Sequence, residues 1–206
     1  MTFVRLALVA FLLTAVSAAA QSTLPDDAST ESNVYTNFFF RFRLPYSPSW
    51  TPRAQLTREE VRLAGAVPLA APVSGNPEKP FHNLLMLSRI VPGVGPAGRE
   101  RATILIVAED ISSEEESINA ALCVDRFAER QKEAGFMAAG QAREMKFGGR
   151  DFIRRDFKGK SPSGAPLYQA AFFTLSRNYA LGFILTAPTE TMLSNMVERT
   201  GALKFF

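Results

Sequence analysis

Between Tyr35 and Leu44, Phe38, Phe40, Phe42 and Leu44 alternate with Phe39, Arg41 and Arg43. That two-residue period predicts a half-buried strand. Pro45 and Pro48 end it, and Trp50 follows in the turn. Leu84–Ile90 and Thr103–Ala108 are short apolar runs that predict two further strands, joined by a loop from Pro92 to Arg99. The period then changes. Ala120, Cys123, Val124, Phe127 and Ala128 recur at helical spacing, predicting a long helix from about Glu114 to Ala134. Ser112 and Ser113 are available to cap it, and Glu114, Glu115 and Glu116 bring negative charge to the positive end of its dipole. Gly135 and Gly140 mark its end.

The second half of the chain is strand-rich. Gly148-Gly149 predicts a two-residue hairpin between Gln141–Phe147 and Arg150–Lys158. Pro166–Leu175 and Tyr179–Thr186 form a second hairpin about Arg177-Asn178. Its strands carry large apolar residues on both faces, Phe172 against Phe173 and Phe183 against Ile184, which predicts central strands covered twice. A closing helix opens at Thr189, carries Met192, Leu193, Met196 and Val197 on one stripe, and stops at Gly201; Leu203–Phe206 adds a short strand. Earlier, Thr57-Arg58-Glu59-Glu60 has the form of a capping box, and Pro68–Pro80 is Pro- and Gly-punctuated loop. Tight hairpins demand antiparallel pairing. The expected class is therefore α+β: an antiparallel β-sheet flanked by helices, an α/β/α sandwich, in one domain over residues 34–206.

The stretch Tyr35-Thr36-Asn37, Phe38, Phe40 and Phe42, then Pro45 and Trp50, resembles the opening strand of the Mog1/PsbP-like fold family. The mid-chain helix, the Gly-Gly hairpin, the apolar hairpin and the closing helix are similar to that family's layout. A long Pro-rich loop between residues 66 and 82 departs from it. The resemblance implies a binding or assembly module rather than a particular activity, and no partner-binding residue of the family carries over.

The first twenty residues change the picture of where the protein works. Arg5 precedes Leu6–Val16, an apolar run without charge, and Ser17-Ala18-Ala19-Ala20 follows with small residues. This is the layout of a cleavable signal peptide over residues 1–20. Eleven helical residues rise roughly 16 Å, about half of a ~30 Å hydrocarbon core, so a spanning anchor is not expected. Residues 21–33, rich in Ser, Thr and Asp, are expected to be a disordered leader. The mature protein is then soluble and exported, periplasmic or extracellular, with no transmembrane span.

Net charge over the whole chain is +3, too balanced to point to nucleic acid. Cys123 is the only cysteine, so no intramolecular disulfide forms; its place on an apolar stripe predicts a buried, inert thiol. Gly93-Val94-Gly95-Pro96-Ala97-Gly98 spells a dinucleotide fingerprint, but a strand follows it where a helix N-terminus is needed, and Pro96 lacks an amide. Glu114–Glu116 has neither the spacing nor the glycine of a calcium loop. His82, the only histidine, cannot complete a zinc set with one buried cysteine, and no Gly-x-Ser-x-Gly elbow accompanies it. No cofactor, metal or catalytic set is assigned.

One surface signal remains. Arg143, Lys146, Arg150, Arg154, Arg155, Lys158 and Lys160 face only Glu144, Asp151 and Asp156, a balance of +4 on one hairpin. Two readings apply: a solvated, edge-protecting charge pattern, or a surface for an acidic protein or envelope component. Arg154 and Arg155 should point to opposite faces of their strand, so one flat contact can use only one of them. The leading functional expectation is an exported, non-catalytic binding or assembly module of the cell envelope. Its alternatives are a secreted hydrolase-type enzyme with carboxylate and hydroxyl groups gathered from separate loops, and a carrier of an apolar ligand held between sheet and helix, suggested by the seventeen phenylalanines.

Overall fold

The apolar hairpin Pro166–Ala187 forms the centre of the molecule because neither of its faces tolerates water. A computed structural model describes residues 24–54, 56, 81–93, 99–112, 118–161 and 163–206. Along the chain these form β1 (Ala28–Glu31), β2 (Val34–Asn37), β3 (Phe42–Pro45), β4 (Thr51–Ala54), β5 (Phe81–Pro92) and β6 (Arg99–Asp110). Then come α1 (Ala120–Glu133), β7 (Met137–Ala138), β8 (Arg143–Phe147), β9 (Arg150–Lys160), β10 (Pro166–Ser176), β11 (Tyr179–Ala187), α2 (Glu190–Thr200) and β12 (Lys204–Phe205). A large antiparallel sheet runs β4-β5-β6-β11-β10-β9-β7, with β8 also on β9; a small sheet runs β1-β2-β3-β12.

Register divides the large sheet into two dry faces. Leu85, Ile106, Phe183 and Phe172 lie in one row across four strands, and Met86, Leu105, Ile184 and Ala171 in the next. The first row belongs to a core shared with Tyr35, Phe42 and Leu44 of the small sheet and Leu193 and Met196 of α2. The second belongs to a core shared with Cys123, Val124 and Phe127 of α1. Phe42 meets Phe183 at 5.5 Å between ring centroids on one side, and Phe127 meets Phe173 at 5.4 Å on the other. The antiparallel sheet, a mid-chain helix and a closing helix are present among the described residues, as the sequence predicts. The covering differs: one face lies beneath α1, while the small sheet shares the opposite face with α2.

The predicted strand Tyr35–Leu44 is two strands and a turn. Asn37, fully buried, is the reason. Its Oδ1 accepts from the Phe40 amide at 2.7 Å, and its Nδ2 donates to the Pro25 carbonyl at 2.8 Å. A side-chain amide that satisfies the backbone locally competes with strand pairing. The chain reverses at Phe38–Arg41, with Arg41 at φ +56°, and leaves Phe38 partly exposed. Tyr35 completes the knot, donating from its hydroxyl to the Leu84 carbonyl of β5 at 3.3 Å and accepting from Asn37 Nδ2 at 3.2 Å. Burial pushes its phenol well above the ordinary range.

Within residues 21–33, expected to be a disordered leader, Ala28–Glu31 forms β1. β1 pairs with β2 through a turn at Ser32-Asn33, both at positive φ, the geometry that matches strand twist. The mid-chain helix starts later than predicted: Asn119, not Ser112 or Ser113, caps it, its Oδ1 accepting from the Leu122 amide at 2.9 Å. The closing helix opens as expected, Thr189 Oγ1 accepting from the Met192 amide at 3.2 Å. The signal segment 1–20, the Thr57–Glu60 box, the Pro68–Pro80 loop, most of the Gly93–Gly98 loop and Glu114–Glu116 lie outside the described residues.

Candidate functional site

Two regions of the molecule gather arginines, and they differ in what those arginines touch. The first is the predicted basic hairpin, β8–β9, which turns at Gly148 and Gly149 with φ of +55° and +82°. The turn does not project. A Cβ at Gly148 would lie 2.6 Å from the Leu203 carbonyl oxygen, so the turn is seated against the chain leading into β12. Arg143 and Arg154 both bond the Asp156 carboxylate, at 2.9 and 2.7 Å. Lys146 reaches Asp151 at 3.5 Å and Lys158 reaches Glu190 at 3.7 Å. Arg155 bonds Asp125 of α1 at 2.8 Å, while Arg154 lies over the Phe172 ring on the opposite face. Arg150 donates to Ser176 Oγ at 3.0 Å and stacks 4.1 Å from the Phe205 ring centroid, and burial lowers its pKa. The six residues share a hairpin, occupy two faces, and each has a partner within the chain.

The second region is a cleft of about 690 Å³ between α2 and the β3–β4 connection, floored by Leu87 of β5 and Ile104 of β6. Local sequence builds its outer wall. Pro45 and Pro48 hold the connection out of the sheet, Ser47 Oγ takes the Ser49 amide at 3.4 Å, and the Trp50 amide closes on the Ser47 carbonyl at 3.0 Å. Trp50 is thereby turned inward and is only 8% exposed. On the facing side, Met192, Met196 and Arg199 recur at helical spacing along α2. An adjoining hollow of about 240 Å³ shares Trp50, Asn195, Met196 and Arg199 with the cleft and adds Arg89 and Met192. Arg89 stacks over the Trp50 ring at 5.5 Å and points one nitrogen at Met192 Sδ, 3.9 Å away. Among the described residues no carboxylate pairs with Arg89 or Arg199.

The sequence reading placed Trp50 in its turn and the two methionines on a helical stripe, but it missed both arginines. A signal for Arg89 existed. Leu85, Leu87 and Val91 all belong to the core on the small-sheet side, so Arg89 is a cation at an inward position of the alternation.

The remaining candidates hold no site. His82 Nδ1 lies 3.1 and 3.2 Å from the two Asp26 oxygens, fastening the first described turn to β5, with the Tyr179 ring beside it. Burial first, and then Asp110 and Asp26, raise the Tyr179 phenol, the wrong direction for a base or nucleophile. Cys123 is fully buried beneath α1, as its stripe predicts. Among the described residues no three His, Cys, Asp or Glu side chains group to hold a metal ion, and no helix is long and apolar enough to cross a membrane.

No protein-family model matches the chain, and no curated protein matches it. Among solved structures it is similar to cyanobacterial PsbP (CyanoP) from Synechocystis sp. PCC 6803, at 11% identity over 88% of this chain and 94% of that one, with a TM-score of 0.52. It is also similar to LpqN of Mycobacterium tuberculosis, a protein involved in cell envelope biogenesis, at 12% identity over 79% of this chain and 82% of that one, with a TM-score of 0.47. The likeness to PsbP shows the Mog1/PsbP-like fold that the Tyr35–Trp50 stretch suggests, and at this identity it shows the fold alone.

Proposed function

We propose that the chain is a non-catalytic binding module that works outside the cytoplasm, with the cleft beneath Trp50 as its binding surface. One observation carries this reading: an apolar and aromatic cleft of ligand-sized volume opens beside two guanidinium groups that no described carboxylate neutralises. Pockets of roughly 300–1,000 Å³ lined by apolar groups with a few directed polar ones are the usual form of small-molecule sites. The lining offers no nucleophile held by a base, which favours binding over hydrolysis. The carrier expectation and the module expectation meet here, since the cleft lies between the sheet and α2. Export rests on residues 1–20, and domain unity over 34–206 rests on the sequence layout.

Two measurements test it. A neutral naphthylamine dye should bind saturably to the full chain and accept excitation energy from Trp50, the only tryptophan. Asn195→Phe, at an exposed position on the cleft rim, should block the dye, keep Trp50 as the sole indole and leave the circular dichroism spectrum unchanged. Equal dye binding by both proteins would remove the cleft from consideration. A phosphatase reporter that is active only outside the cytoplasm, fused after Phe206, should be active; an inactive fusion sinks the export half.

A further inference from the structure

The ligand class follows from how polarity is arranged along the cleft. The larger hollow has the apolar floor, Leu87 and Ile104, with Leu44 beside it. The smaller one holds both Arg89 and Arg199 and is bordered by Thr189 and Thr191, at the opening of α2. Trp50, Met196, Asn195 and Arg199 border both hollows, which makes them one continuous trough with Arg89 at one end and the Leu87–Ile104 floor, with Glu198 beside it, at the other.

Arg89 is on an inward-facing strand position, partly covered, with a sulfur and an aromatic face as its neighbours. These contacts engage few of its five donors, and none of the rest is sealed away from solvent, so they remain open to a ligand. Carboxylate and phosphate oxygens are what a planar fork of donors engages best. Glu198 lines only the larger hollow, so a second negative charge at the far end of a ligand would be repelled there. The methionines supply unbranched, adjustable walls that suit a chain of varied shape.

We infer that the cleft binds a small amphiphile with one anionic head group, the head held by Arg89 and Arg199 and the apolar body laid between Trp50, Met196 and the Leu87–Ile104 floor. This deepens the binding-module reading and rests on it. The head can be a carboxylate or a phosphate, since both offer the same fork of oxygens.

The test uses the full chain, with Trp50 emission and titration calorimetry as two independent readouts. The probes are decanoate, decyl phosphate and decanol. Both anions should bind saturably and at least about tenfold more tightly than the alcohol, the scale of a charge-assisted bidentate contact. The tighter of the two identifies the head chemistry. Arg89→Gln and Arg199→Gln should each weaken the anions about five- to tenfold and leave decanol unchanged. Arg143→Gln, on the basic hairpin, should change nothing, which excludes a general effect of positive charge. Decanol binding as tightly as decanoate, with both cleft variants silent, overturns the anionic head and leaves the cleft as an apolar site. No saturable response to any probe overturns both the ligand class and the cleft.

Discussion

The β8–β9 hairpin and the α2 cleft use the same side chain to opposite ends. On the hairpin, Arg143 and Arg154 converge on Asp156, and Arg155 crosses to Asp125. In the cleft, Arg89 and Arg199 converge on space. A run of seven cations along a strand pair catches the eye in a sequence, yet five of them pair with carboxylates, Asp151 and Asp156 on the same hairpin, Asp125 on α1 and Glu190 on α2. Two arginines 110 positions apart in the chain border the cleft without a described carboxylate partner, and the proposed ligand would meet them there. Local density of charge is a weaker guide to binding than the presence or absence of a counter-charge, because a paired guanidinium has already exchanged water for a partner.

The comparison can be broken by measuring stability. The largest loss should come from the cleft wall rather than from any charge: Trp50→Ala removes a nearly buried indole and should cost about 3 kcal/mol in urea unfolding. Arg154→Ala comes next. Its side chain is 15% exposed and its Asp156 partner 21%. Their pairing therefore resists screening, and its loss should cost about 2 kcal/mol. A loss under 0.5 kcal/mol would mean that Arg154 is not structurally committed and would return the hairpin to the list of binding surfaces. Arg143→Ala should cost about 0.5 kcal/mol, since its side chain is 55% exposed and Asp156 retains Arg154. Arg199→Gln should be smallest, within about 0.5 kcal/mol of wild type, because an exposed arginine without a counter-ion contributes little to folding. A large loss there would show that Arg199 is structural and would take it out of the cleft's chemistry.

What the sequence made legible was local. The Gly148-Gly149 and Arg177-Asn178 turns, the Thr189 cap and the two-faced apolar strands follow from neighbours in the chain, and the structure has them. What it concealed depended on distant contacts. The run Tyr35–Leu44 alternates well enough for one strand, and only the reach of Asn37 to Pro25 and Phe40 reveals the turn. Residues 28–31 are polar enough for a leader, and pairing with β2 orders them. The cleft was the least legible part, since its wall and its facing helix come from opposite halves of the chain. Only Arg89, a cation in register with the inward apolar positions Leu85, Leu87 and Val91, advertised that side.

The small sheet also dictates an order of events. Its fourth strand is β12, which closes on β3 by pairing Phe205 with Phe42 and Lys204 with Arg43. Until the ribosome has made those residues, β3 has one bare edge, and the face of the large sheet that it helps to cover lacks part of its lid. A pairing between such distant segments is slow to find, and a bare strand edge invites pairing with other chains. In chain order α1 and its side of the sheet come before β12, so that side can form while the opposite side waits for β12. The vulnerable interval in folding is therefore the one between the formation of α2 and the docking of Phe205.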